Sequence, residues 1–141
     1  DALKRPEIKS APYLVASCHI PIFDSNPKEN PGDLYPADKH PDYSPDFASW
    51  QRTCAQLWGP LLNKAKCNLV IAAHTHVYRY DEPGKDRCWA QIVGGGPDIS
   101  GRSPRVFPTV MEGKVEDGRL VVRVHNIYSG KVEAEHVFKP R

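Results

Sequence analysis

Three of the six histidines in this chain fall where side chains can be aimed at a ligand. His74 and His76 form a His-x-His pair directly after Asn68-Leu69-Val70-Ile71-Ala72-Ala73. That continuous apolar run has the composition of a strand buried on both faces. His19 holds the same position after Tyr13-Leu14-Val15-Ala16-Ser17, a second run of strand formers. Pro21 closes that strand, because proline has no N–H for a ladder. In an open α/β sheet, ligands bind beyond the carboxyl ends of buried strands. Two strands separated by one helix are parallel neighbours or near-neighbours, so the pattern brings three imidazoles to one end of the sheet. Neutral imidazole is a good ligand for Zn, Fe, Mn and related divalent ions. The chemistry implied is metal binding, with His19, His74 and His76 as candidate ligands. The bland alternative, a pair of solvated loop histidines, is weakened by a third histidine placed alike.

The other reactive residue types read as structural. His40 lies in the polar stretch Asp38-Lys39-His40-Pro41-Asp42 and is expected to be solvated. His125 follows Arg123 on the strand face opposite Leu120, Val122 and Val124, and His136 sits in another strand of the same region. The cysteines, Cys18, Cys54, Cys67 and Cys88, include no Cys-x-x-Cys pair, which excludes a zinc ribbon or a thioredoxin-type site. A domain of this size needs no staples, so buried thiols are favoured over disulfides. Gly94-Gly95-Gly96-Pro97 lacks the Gly-Lys-(Ser/Thr) of a phosphate loop and reads as a tight turn after a strand.

The elements that must position the histidines follow from periodicity. After the first strand, residues 24–46 form a long proline-rich loop, a length usual for functional or disordered segments. Ser44-Pro45-Asp46 is a helix start, with a capping hydroxyl and proline at the first helical position. Phe47, Trp50, Cys54, Leu57, Trp58, Leu61, Leu62 and Ala65 then recur at three- and four-residue steps, which predicts an amphipathic helix with one buried face. Gly59-Pro60 is expected to kink or split it. Val77-Tyr78-Arg79-Tyr80 alternates, and Cys88 to Val93 predicts another strand. Asp117-Gly118 is a two-residue hairpin signal between Thr109–Glu116 and Arg119–Tyr128. Ser129-Gly130 turns the chain again into Lys131–Phe138. Strand, helix, strand and then hairpins make an α/β arrangement ending in an antiparallel β-meander.

With 141 residues, the chain can build one domain with a real core and not two. A net charge of +2 from scattered Lys and Arg indicates no nucleic-acid groove. No apolar run approaches the ~18 residues of a membrane span, and Asp1-Ala2-Leu3-Lys4-Arg5-Pro6 has no apolar signal-peptide core.

Ser17-Cys18-His19-Ile20-Pro21 and Ala73-His74-Thr75-His76 resemble the last two motif blocks of the calcineurin-like metallophosphoesterases. Those are a lone histidine and Gly-His-x-His. The helix end Leu61-Leu62-Asn63-Lys64-Ala65, the pair Val77-Tyr78 and the glycine loop are similar to purple acid phosphatase relatives. The resemblance covers about Ala11 to Asp98. It implies the C-terminal half of a metallophosphoesterase β-sandwich with a flanking helix, so that residues 1–141 are a single domain or half-domain. It also implies that His19 and His74 bind one divalent ion and His76 a second, the ions being Fe, Mn or Zn. Two positions depart from the pattern. Ala73 replaces the usual glycine, and His76-Val77-Tyr78-Arg79-Tyr80 replaces the subgroup's His-x-Tyr-Glu-Arg.

The family's earlier blocks, Asp-x-His and Gly-Asn-His-(Asp/Glu), do not occur before His19. Gly32-Asp33-Leu34-Tyr35 imitates another block but follows His19 instead of preceding it. The resemblance therefore implies a parent hydrolase of phosphate esters, secreted or periplasmic, and a segment that is inactive alone and holds one ion or none. Its partner would be the missing N-terminal half or a second copy of itself. Two other hydrolase patterns fail: a metallo-β-lactamase His-x-His-x-Asp-His would need other residues at Tyr78-Arg79, and an amidohydrolase barrel needs ~250 residues. The remaining alternative is a non-enzymatic β-rich interaction module without metal.

Overall fold

In the computed structural model, residues 2–22, 45–85, 87–96 and 107–141 are described. A short 3-10 turn (Ala2–Lys4) and helix α1 (Pro6–Ser10) lead into β1 (Val15–Ser17). Helix α2 (Pro45–Lys64) and strands β2 (Leu69–Ala72), β3 (Arg79–Asp81) and β4 (Ala90–Val93) follow. The chain closes with β5 (Thr109–Glu116), β6 (Arg119–Asn126) and β7 (Val132–Phe138). The opening turn and α1 carry no periodic signal long enough to be read from sequence.

Two sheets result. The first has the order β1-β2-β4-β3, with β1, β2 and β4 parallel and β3 antiparallel to β4. The second is the antiparallel meander β5-β6-β7. In β2, alternate side chains serve opposite cores, as a strand covered on both faces must. Val70 packs towards α2 with Cys54, Leu62, Cys67, Trp89 and Ile22. Leu69 packs towards the meander with Ala90, Ile92, Leu120, Val122, Val124 and Phe138. The molecule is thus mixed α/β, with helix, sheet and sheet in layers.

Local sequence explains the junctions. Asp117 and Gly118 both have positive φ, 48° and 70°, which is the two-residue turn whose twist matches a hairpin. Helix α2 ends in a Schellman motif. Lys66 takes φ 52°, its N–H donates to the Asn63 carbonyl at 3.0 Å, and the Cys67 N–H donates to Leu62 at 2.9 Å. Leu62 and Cys67 then share the helix-side core, the apolar contact that accompanies this cap. Arg141 joins the start of the chain to the helix end. Its guanidinium donates to the carbonyls of Ile8, Ala11 and Ala65, and its N–H donates to Pro12 at 2.9 Å.

Several expectations need correction. Gly59-Pro60 does not split α2, which runs unbroken with Pro60 inside it. Pro60 is exposed, so its missing N–H falls on the side facing solvent, where water can serve the freed carbonyl. The buried face is also narrower than the periodicity implied: Cys54 and Leu62 are buried, but Leu57, Trp58 and Leu61 are 60%, 37% and 53% exposed. The side chains of Phe47 and Trp50, the loop before residue 45, His40 and the Gly32-Asp33 imitation lie outside the described residues. All four cysteines are free thiols, and Cys88 is exposed instead of buried.

Candidate metal centre

Each candidate histidine sits just past a parallel strand. The parallel register pairs Ser17 with Ile71 and Ala72 with Val93, so the three strand ends lie level. The Cys18 N–H donates to the Ile71 carbonyl at 3.0 Å, and the Ala73 N–H donates to the His19 carbonyl at 2.9 Å. These bonds lash the two histidine-bearing turns together. The His19 Nε2 and His74 Nδ1 atoms then lie 3.1 Å apart, with the rings edge to face. His76 lines the same open cleft of about 820 Å³. Its other walls come from Ser17, Gly94–Gly96 and, from the second sheet, Thr109 and Met111.

The turn after β2 is strained at both candidate ligands. His74 and His76 both have positive φ, 66° and 58°. A non-glycine residue there costs roughly 1–2 kcal/mol. Ala73 is not among the left-handed residues, so the substitution of alanine for the usual glycine imposes no backbone penalty. Thr75, between the two histidines, has a buried hydroxyl without a hydrogen-bond partner among the described residues.

The tight turn expected at Gly94–Pro97 reaches beyond the described residues, which stop at Gly96. None of Gly94, Gly95 or Gly96 has positive φ. Their role is close approach. A Cβ on Gly96 would lie 2.6 Å from the His76 ring, and one on Gly95 would strike the Phe107 carbonyl. The Gly96 N–H also donates to the His76 carbonyl at 3.0 Å. Gly96 is a cradle for His76 that its sequence context did not mark as such.

All three imidazoles are exposed and so accessible to a solute. Burial, then the neighbouring His19 and His76, hold His74 below the ordinary histidine range, keeping it neutral and able to donate a lone pair. The nearby Cys18 thiol is pushed up to about 11, by burial and then by Cys54, and donates to the Ile20 carbonyl at 3.2 Å. In the absence of a nearby cation it stays protonated at neutral pH. Two nitrogens sharing one zinc at ~2.0–2.1 Å stand about 3.0–3.4 Å apart, so the His19–His74 pair fits a single divalent ion. Among the described residues, no group of three or more His, Cys, Asp or Glu could hold a metal. His76 lines the same cleft as the pair.

The histidines assigned to the meander have other work. His125 faces Glu112 at 3.4 Å on the outer surface. His136 accepts or shares the Tyr78 hydroxyl proton at 2.8 Å and stacks on Tyr80, centroids 3.8 Å apart. Both tyrosines belong to the first sheet's side of the inter-sheet core, so His136 joins the sheets rather than serving the cleft.

No protein-family model matches the chain, and no curated protein does. Among solved structures it is similar to "GAP50 the anchor in the inner membrane complex of Plasmodium", with 16% identity and a TM-score of 0.60. The match covers 96% of this chain and 39% of that one. That likeness shows the fold alone. The chain spans about two fifths of the neighbour's length. Among the described residues, no helix is long and apolar enough to cross a membrane.

Proposed function

We propose that this chain is the ligand-bearing C-terminal segment of a calcineurin-like metallophosphoesterase, related to the purple acid phosphatases. The supporting observation is the 3.1 Å approach of His19 and His74 at one end of parallel strands, with His76 on the same cleft. His19 and His74 would hold one divalent ion (Fe, Mn or Zn) and His76 would contribute to a second. When bound, such ions clamp phosphoryl oxygens and acidify a water for attack on a phosphate ester. The chain's own contribution is to keep the His74 ring neutral and to fix the ring positions through the Cys18–Ile71 and Ala73–His19 backbone bonds. Three neutral imidazoles cannot offset the charge of two dications, so bridging carboxylates must come from elsewhere. A secreted or periplasmic setting accompanies this reading.

Calorimetric titration of the purified chain with zinc is the direct test. Binding that disappears in His74→Ala is the expected result, together with negligible hydrolysis of an aryl phosphate. Absence of zinc binding would remove the metal reading. Robust turnover by the chain alone would mean that the catalytic set is complete here.

The same reading supplies a partner. Among the described residues β1 is an edge strand, with Val15 43% exposed, and an unpaired edge is a template for another strand. The occupant is the N-terminal half of the fold or, without it, a second copy. Sedimentation at micromolar concentration should show self-association that Val15→Lys suppresses; a strictly monomeric chain would contradict it.

A second reading, a non-enzymatic interaction module, draws on the solved neighbour, which is named as an anchor. A module would ignore zinc, and the same titration separates the two.

A further inference from the structure

We propose that Gln91 is a positioning residue for His19, acting from two strands away. Gln91 lies in the middle of β4 and is 0% exposed, between Ala90 and Ile92, which face the meander. Its side chain is therefore on the other face of the strand, the face of Trp89. A buried amide costs free energy unless its atoms are hydrogen-bonded. Gln91 Oε1 accepts the Ile22 N–H at 2.9 Å. Its Nε2 donates to Asp81 Oδ2 at 2.9 Å. Asp81 stands opposite Gln91 in the β3–β4 ladder, is 6% exposed, and receives Arg79 Nε on both carboxylate oxygens at 2.9 Å.

The important member is Ile22. The β1 ladder ends at Ser17, so the chain that carries His19 leaves the sheet without strand pairing. Pro21 has no N–H to offer, yet Pro21 and Ile22 are buried. One end of this segment is fixed by the Cys18–Ile71 and Ala73–His19 bonds. The other is fixed by Gln91, which reaches it from β4 on the far side of β2. His19 is held between those two points, and the amide of Gln91 is oriented by the Asp81 carboxylate. Without it the Ile22 end keeps its apolar packing but loses the hydrogen bond that fixes its backbone, which loosens the 3.1 Å approach to His74.

The sequence carries part of this signal, a glutamine within the apolar strand Ala90–Val93, whereas its aspartate partner is set by register.

The test uses three variants of the full chain. Gln91→Leu removes the bond to Ile22. Gln91→Glu keeps an acceptor for Ile22 but sets a carboxylate against Asp81. Combining Gln91→Glu with Asp81→Asn reverses the polarity of the bond between positions 81 and 91 and restores it. Two readouts are compared after thermal melting has established that each variant is folded: the nuclear Overhauser effect between the His19 and His74 rings, and zinc affinity. Both single variants should lose the inter-ring effect and bind zinc about tenfold more weakly, the scale seen for outer-shell changes at metal sites. The double variant should recover both. Retention of the inter-ring effect in folded Gln91→Leu overturns the proposal, as does a folded double variant that fails to recover it. The zinc arm rests on the metal reading above, whereas the inter-ring arm does not. If the unsubstituted chain ignores zinc, the metal reading fails and the inter-ring effect alone decides the role of Gln91. Should Gln91→Leu not fold, the comparison of Gln91→Glu with the double variant carries the decision.

Discussion

At the scale of single residues, the candidate site is built from side chains whose freedom has been removed by their neighbours' backbones. His74 and His76 accept left-handed backbone, and His76 is further confined because Gly96 presents no Cβ to its ring. The contacts are with His76 Cγ, Cδ2 and Cβ, the root of the side chain, so the His76 turn must shift with its ring. Gly96→Ala should therefore displace the His76 imidazole and lower the melting temperature, with a clear shift of the His76 ring resonances. Zinc affinity should weaken if His76 contributes a ligand. Unchanged His76 resonances would show that the glycine serves some other purpose. Gly95→Ala is a contrasting control, since its Cβ meets the Phe107 carbonyl and should loosen the joint between β4 and the meander.

At the scale of elements, boundaries are decided by caps. The Schellman motif that ends α2 places Lys66 at the position where glycine is usual, with φ 52°. A side chain in the left-handed region costs about 1–2 kcal/mol, whereas a glycine there has no Cβ penalty and a somewhat larger chain entropy to lose. Lys66→Gly should thus stabilise the protein, by roughly 1 kcal/mol, read as a higher urea midpoint with an unchanged slope. A destabilised variant would mean that the lysine side chain makes a compensating contact. The cap matters beyond the helix, because the next residues, Cys67 and Asn68, lead straight into β2 and the His74 turn. Asn68 Oδ1 accepts the Leu14 N–H at 2.9 Å, which sets the parallel register of β1 on β2 and, with it, the level of His19 against His74.

At the scale of the whole molecule, the two sheets meet through apolar packing and through polar contacts that include His136 with Tyr78 and Tyr80 and Gly95 with Thr109. Burial holds His136 below its ordinary 6.5. Above 6.5 the ring is neutral whether the chain is folded or unfolded, and its contribution to stability is fully present. As the pH falls below 6.5 the unfolded chain takes up a proton that the folded chain resists, so stability declines. The decline is complete once the pH has passed the lower folded-state value. His74 is displaced in the same direction and adds to the slope. Urea unfolding at pH 7.5 and pH 5.5 should show lower stability at the acid value, by up to about 1.4 kcal/mol per pH unit from the half-buried His136, with a smaller, solvent-screened share from the exposed His74. His136→Phe should flatten the dependence. An equally steep decline in that variant would assign the effect to other groups.

Much of this architecture was legible locally. Asp117-Gly118 announced its hairpin because only residues tolerant of positive φ can make that turn, and both adopt it. The apolar run before His74 announced a strand covered on both faces, and β2 is buried by α2 on one side and the meander on the other. The placement of His19, His74 and His76 at strand ends was likewise a matter of local pattern and of the parallel arrangement that a helical crossover imposes. What sequence could not supply is distance between segments far apart in the chain. That Gly96 faces His76, that Gln91 reaches Ile22 across β2, and that His136 stacks on Tyr80 depend on register and layer packing. Periodicity says which face a side chain occupies, never what stands opposite. The same limit applies to α2, where an apolar repeat assigned Leu57 and Leu61 to a buried face. Only the tertiary structure, by setting the width of helix that the first sheet covers, leaves them exposed.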